Sequence, residues 1–394
     1  MSTESPVTRY ADLDFVRVMA IALLHLFHTG MMFNVWRWHV KNDVLLPVLT
    51  VPWEILHIFR MPLLMVVAGA GTALALKRRS LRAFAGERAR RLLWPVLFAM
   101  LVVVPPQIYI ERIVQGLCHP TFLEPLAIPR FQGSYWDFYP MVLQFRPYPL
   151  GAFSWHHLWF VVYLFTYSLL ALPLFAWLRR PSGDRFLVRI DGWLARGFRL
   201  YLLFIPLFLV QYFLREFPQT GDLVGDPRIL AYFGILFLYG YLLARCPSLL
   251  DRAVTLRGPS LGLGLLLLAI LLPEGEFPRP FEHLAVYACV WLVILAALGY
   301  ARCHIRTRGP MLVRAQELAY PFYLLHQTVI VLVGYAWLHA PMGPWVKLSV
   351  VLTLSFFVTA LLCEGIRRTP FLRPLFGMKA QSRISIAAIA EPVA

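Results

Sequence analysis

Ten apolar runs, separated by loops that are alternately rich and poor in arginine, organise the chain. Their lengths predict membrane helices at about 12–32, 52–76, 92–110, 157–178, 199–214, 228–245, 259–273, 284–302, 316–338 and 345–366. The fifth and seventh are short, and tilting or partial entry would accommodate them. No internal repeat is visible. Composition agrees with the pattern: 59% of the 394 residues are hydrophobic and 15% charged, against about 25% charged in soluble domains. Mean hydropathy is +0.64. The expected fold is an all-α polytopic membrane protein, a bundle of about ten transmembrane helices. A single membrane domain is expected over 10–378, with an outer aromatic-rich segment at 111–156 and cytoplasmic tails at 1–9 and 379–394.

The net charge of +16 would suit nucleic acid, but its placement excludes that reading. With the N-terminus inside, 27 of the 37 Lys and Arg residues fall on inner segments, from Arg9 and Arg17 through Lys77–Arg91, Arg179–Arg199, Arg245–Arg257 and Arg302–Arg314 to Arg367–Arg383. The positive-inside rule then gives an N-in, C-in topology, with the charge serving orientation and anionic lipid. The five cysteines, Cys118, Cys246, Cys289, Cys303 and Cys363, have scattered spacings that form neither a disulfide framework nor a zinc site. The first apolar run has no cleavage pattern behind it, so no cleavable signal is expected.

That first run, Leu13–Gly30, carries Asp14, Arg17, His25 and His28. Ionisable groups inside a membrane are costly unless paired or facing a cavity, and so mark function. Arg17 and His28 are eleven residues apart, which sets them within about 20° on one helix face and about 16 Å apart along the axis. Asp14 is placed to pair with Arg17 at i, i+3. These three form the candidate catalytic set, whereas His25 reads as a packing histidine.

Further along, Trp53, Glu54 and His57 open the second helix at the outer surface, and Arg60 and Pro62 break its apolar run early. Small residues from Ala68 to Thr72 permit close helix packing. In the basic segment behind it, Arg88 and Arg91 are helical neighbours suited to phosphate, although topology and anionic lipid explain the same residues. The outer segment is rich in aromatics, among them Phe122, Tyr135, Trp136, Tyr148 and Trp155. That composition fits either a glycan acceptor or an interfacial belt. His156, His157 and Trp159 follow at the level His28 should reach, and His326 lies at mid-membrane with Glu317 near the inner end. Trp155, His157, Trp159 and His326 are the candidate acceptor-binding residues. Glu364 and Arg367 read as a helix-end pair or part of an inner vestibule.

Some motifs carry nothing. Gly258-Pro-Ser-Leu-Gly262 matches a nucleophile elbow but opens an apolar helix with no strand before it. No phosphate-binding P-loop and no histidine pair at metal-ligand i, i+4 spacing occur, so no metal is expected.

Five segments then arrive in order: LDFVR with His28 eleven residues after Arg17, FRMPLLMVVAG, RARRLLWP, HLWF and YPFYLLHQTVIV. Together they resemble the membrane acyltransferase-3 family over about residues 10–378. FRMPL, YPFYLLHQT and the ending RRTPFLRPLFGMK look most like the branch containing the glucans biosynthesis protein C, a glucan succinyltransferase. The resemblance implies transfer of an acyl group, acetyl or succinyl, from acyl-CoA to an extracytoplasmic glycan or glycolipid, at the inner membrane. It implies that His28 is the general base, Arg17 its partner, and Arg88 and Arg91 the arginine pair that meets the CoA. Where many members carry Ser-Gly-Phe, this chain has Ala68-Gly-Ala, so a role for that serine does not transfer.

The expected activity is therefore that of an acyl-CoA-dependent O-acyltransferase, with acyl-CoA as donor substrate and no permanently bound cofactor. A proton-coupled transporter or flippase using His28, His326 and the carboxylates is the rival reading, and a catalytically silent scaffold a third.

Overall fold

Proline marks where the long helices begin. In the computed structural model, which describes residues 11–114, 130–272 and 278–379, four of the long helices start on it: α11 (Pro227–Arg245), α12 (Pro247–Leu271), α14 (Pro310–Ala336) and α15 (Pro344–Arg368). At the first helical position the missing N–H would have had no partner, and the fixed φ suits the helix. The earlier elements are α1 (Ala11–Gly30), α2 (Thr50–Leu76), α3 (Leu81–Arg88), α4 (Trp94–Val102), α5 (Pro105–Val114) and the short α6 (Tyr135–Phe138). Then come α7 (Trp159–Leu170), α8 (Leu172–Leu178), α9 (Pro181–Leu194) and α10 (Phe204–Phe213), with α13 (Arg279–His304) and α16 (Leu372–Leu375) completing the order. Among the described residues no strand forms beyond one bridge between Pro147 and Phe153.

The chain is a multi-pass membrane protein. Among the described residues, eight helical stretches are long and apolar enough to cross, and ten do if two bent pairs each count as one span. The predicted spans all correspond to helices, with informative departures. The fourth is bent by 49° between α7 and α8. The seventh begins twelve residues earlier than expected, at Pro247, so Gly258–Gly262 lies inside α12 and opens nothing. The second runs unbroken through Pro62. Trp53, at its start, is buried, its indole N–H donating to the Phe27 carbonyl at 2.8 Å. The third is composite, because Pro105 and Pro106 force a restart after Val104, and α3 joins α4 through a π-helical turn, Ala89–Leu93. Pro95 cannot donate to the Arg91 carbonyl, and the turn widens so that Trp94 N–H returns to Ala89. The expectations for 1–9, Arg9, Cys118, Phe122, 380–394 and Arg383 fall outside the described residues.

Two glycines set the tightest crossing. A Cβ at Gly69 on α2 would stand 1.9 Å from the Phe237 carbonyl oxygen on α11, and one at Gly240 on α11 would stand 1.8 Å from the Val66 carbonyl oxygen. The two backbones therefore touch through reciprocal glycines, the close approach that small residues allow in lipid. Within this frame α1 is central, packed against α2, α13, α14 and α15. Its first turn is tied down by arginines of α13 and of the α13–α14 connection: Arg302 reaches Asp12 at 3.4 Å and Arg308 reaches Asp14 at 3.0 Å.

Candidate active site

The N-terminal half of α1 faces a cavity of ≈ 560 Å³, within the usual size of a small-molecule site. Arg17, Arg79, Arg88, Arg91, Arg373 and Lys379 line it, against only two carboxylates, Glu87 and Glu317. The carboxylates do not neutralise the wall. Glu87 takes Arg79 at 2.9 Å and Arg91 at 3.3 Å, and Glu317 takes Arg373 at 3.1 Å. Arg88 and Arg17 are left with excess positive charge. Arg88 donates to Thr72 Oγ1 at 2.9 Å, while its Nε is buried without a partner, as is the hydroxyl of Tyr320 on the opposite wall. Unsatisfied buried donors around a cavity are an invitation to an acceptor-rich ligand. Gly71 leaves room for Arg17: a Cβ there would lie 3.2 Å from its guanidinium. Asp14 is 3.7 Å from Arg17 but closer to Arg308, so it anchors the start of α1 more than it pairs with Arg17. A larger recess of ≈ 760 Å³ on the outer faces of α14 and α15 is walled mainly by Trp337, Trp345 and Phe357, with nothing ionisable.

Arg88 closes α3 and Arg91 sits in the π turn, so the helical spacing assumed from sequence does not hold between them, yet both reach the cavity. Arg79, Arg373 and Lys379 were not singled out. Arg373 and Lys379 come from a segment nearly three hundred residues away, and only the tertiary fold brings them here. Glu364 stays outside the cavity lining, in a helix-end cluster with Arg314, Arg367 and Arg368.

At the other end of α1 the chemistry changes from guanidinium to imidazole. His28 Nδ1 lies 2.8 Å from His326 Nε2, with the rings stacked at a centroid distance of 5.0 Å. His326 Nδ1 lies 2.7 Å from the Tyr323 carbonyl. A carbonyl only accepts, so this nitrogen carries the proton, and in a neutral ring Nε2 is then the acceptor. His28 must therefore donate from Nδ1, and its basic nitrogen is Nε2. The same logic orients His157. Its Nε2 faces the Leu324 carbonyl at 3.1 Å, leaving Nδ1 to accept from Gln107 at 3.4 Å. Tyr323 donates its hydroxyl to the His157 carbonyl. Gln107 also donates to Thr328 at 2.6 Å and accepts from Gln327 at 3.0 Å. His326 is fully buried, whereas His28 is only partly so. The cavity reaches Tyr323, one turn from His326, and Ile21, seven residues from His28.

The structure thus unites His28, His157 and His326. Trp155 and Trp159 face elsewhere: the Trp155 indole donates to the Gly221 carbonyl at 3.1 Å, and Trp159 packs on Phe233 at 5.2 Å. Both serve as pegs for the 220–226 loop. His25 is the packing histidine expected, seated on α15 through Ser355 at 3.1 Å. Two further residues lie near the cluster, neither of them among the candidate site residues. Gln107 has no pattern to betray it. Arg60 is buried with its guanidinium 3.4 Å above the Phe27 ring, a cation–π contact beside His28 in the chain. An intramembrane arginine was the signal available. For metal, His39, Glu111 and His156 bring their ligand atoms within 4.8 Å of one another.

A family model described as an acyltransferase domain, that of acyltransferase family 3, matches residues 10–364. The chain belongs to this family, and it is a membrane acyltransferase. No curated protein and no solved structure matches it.

Proposed function

We propose that this member of the acyltransferase-3 family moves an acetyl or succinyl group from cytoplasmic acyl-CoA to a hydroxyl of an extracytoplasmic glycan or glycolipid, across the inner membrane, with both termini inside. The observation that carries the reading is the division of α1 between an arginine-lined cavity and an oriented histidine pair. Phosphate oxygens are the ligand that a cluster of guanidinium forks fits best. CoA offers a diphosphate and a ribose phosphate to Arg17, Arg79, Arg88 and Arg91, and its acyl-bearing arm would run along α1 toward His28.

At that end His28 Nε2 takes the proton of the acceptor hydroxyl as its oxygen attacks the thioester carbonyl. The C–O bond forms, the C–S bond breaks, and the proton returns from His28 to the departing thiolate. With a reference pKa of about 6.5, an imidazole is mostly neutral at pH 7 and suited to both transfers. His326 holds the ring and fixes its tautomer, a positioning role in place of acceptor contact. Arg17 belongs to the donor end. An oxyanion donor must stand about 3 Å from the charge it stabilises, and Arg17 is about 16 Å along the helix from His28.

The test uses purified protein in nanodiscs with acetyl-CoA or succinyl-CoA and a periplasmic glucan extract, following free thiol and acceptor mass. Thiol release matched by a mass gain of one acyl group, absent in His28→Ala, is expected. Proton-coupled solute uptake with no thiol release from either donor would overturn the reading in favour of a transporter.

A further inference from the structure

Beside the histidine pair lies a second group of ligating side chains that the transfer does not use. His39 comes from the segment between α1 and α2, Glu111 from α5, and His156 from the turn that leads into α7. Glu111 is buried, and the His39 side chain is 13% exposed. Each imidazole already has one nitrogen engaged. His39 Nε2 meets the Gln327 amide nitrogen, a donor, at 3.1 Å, so for Nδ1 to act as a ligand that amide must turn its oxygen toward the ring, and His156 Nδ1 meets Ser154 Oγ at 2.7 Å. The two remaining nitrogens, His39 Nδ1 and His156 Nε2, are buried without a hydrogen-bond partner and belong to the cluster around Glu111. Tyr148 steadies that carboxylate, its hydroxyl 3.3 and 3.2 Å from the two oxygens. Arg112, the next residue of α5, holds the Tyr148–His156 loop by donating to the carbonyls of Pro149 and Gly151 at 2.9 and 2.6 Å.

We propose that His39 Nδ1, Glu111 and His156 Nε2 bind a divalent transition-metal ion, Zn²⁺ in the first instance. Two imidazoles and a carboxylate are the donor set of many zinc sites with an open position, and ligating histidines usually have their second nitrogen held by an outer partner. The donor set is here, in three segments that no spacing rule connects, and Ser154 Oγ can hold the second nitrogen of His156. A simple ion pair between protonated His39 and Glu111 accounts for less. Those groups stand 3.4 Å apart without hydrogen-bond geometry, and the pair leaves His156 Nε2 buried and unused. Ligands on tetrahedral zinc stand about 3.4 Å apart. The 3.4 Å pair already fits, and binding draws the third donor inward by about 1 Å through side-chain rotation. The ion would pin the outer ends of α1, α5 and α7 together.

The test is metal analysis of the full-length chain, purified in detergent through a tag free of histidine and without chelator. About one zinc per chain is expected, removable by a strong chelator, with readdition raising Tm. Glu111→Gln and His156→Ala should lose the ion while remaining monodisperse. Ser154→Ala, which removes no ligand, should weaken Zn²⁺ binding by about 10–100-fold and decides the matter if a ligand variant fails to fold. Zinc far below one per chain in wild type, with titrated Zn²⁺ taken up equally by wild type, Glu111→Gln and Ser154→Ala, would overturn the site and leave an ion pair.

Discussion

The two ends of α1 recognise by different means. Around Arg17 the cavity is lined by excess cations, with unsatisfied donors at Arg88 Nε and Tyr320 and ion pairs that leave the wall positive. Around His28 the groups are mainly imidazoles, with the Arg60 guanidinium nearby on the Phe27 ring, and the described hydrogen bonds run in one consistent direction from His28 through His326 to the Tyr323 carbonyl. A charged cavity holds a ligand by summed attraction and tolerates the loss of one contributor. A tautomer-fixed base depends on a single geometry. Damage at the first end should therefore appear in donor affinity, and damage at the second in turnover.

The largest effect expected is for His28→Ala: a fall in kcat of about 10²–10⁴, the usual contribution of a general base, with the donor KM unchanged. Steady-state kinetics on both substrates checks this, and a raised donor KM as the main effect would erase the distinction between the ends. Next comes His326→Ala, expected to lower kcat by about 10–100-fold without moving the donor KM, on the scale of removing one strong positioning hydrogen bond. His326→Gln, whose amide oxygen still accepts from His28 Nδ1, should recover part of the loss. No recovery would mean that His326 does more than orient. Arg88→Ala should raise the donor KM by about tenfold or more, as for one charge-assisted hydrogen bond, with kcat kept at saturation. Added salt should raise the wild-type donor KM in the same sense, since accessible charges are screened. The smallest change is expected for Trp155→Phe. Loss of the bond to Gly221 should cost about 1 kcal/mol of stability, read as a lowered Tm, with activity within about twofold. A tenfold rise in acceptor KM would return Trp155 to the acceptor site.

What the sequence disclosed follows from how local each feature is. The membrane class and the positions of most spans rest on apolar runs, which any bilayer protein must display. The alignment of Arg17 with His28 rests on helix geometry alone and needs no neighbour. His326 was noticed, but its role was not legible, because it depends on the carbonyl of Tyr323 and on a helix about three hundred residues from α1. The contribution of Arg373 and Lys379 to the cavity, and the meeting of His39, Glu111 and His156, depend wholly on packing. The π turn between Arg88 and Arg91 had a signal in Pro95, whose missing N–H was read only as part of a helix. Trp155 and Trp159 are ambiguous in sequence because an indole suited to a sugar is equally suited to a loop carbonyl or a neighbouring ring. Composition does not separate the two.

The most direct measurement is equilibrium binding of CoA to the purified wild type, His28→Ala and Arg88→Ala proteins in nanodiscs, by calorimetry and without acceptor. The account predicts that His28→Ala binds CoA as wild type does, while Arg88→Ala binds at least about tenfold more weakly. Equal loss in both variants, or none in Arg88→Ala, would contradict the division of labour along α1.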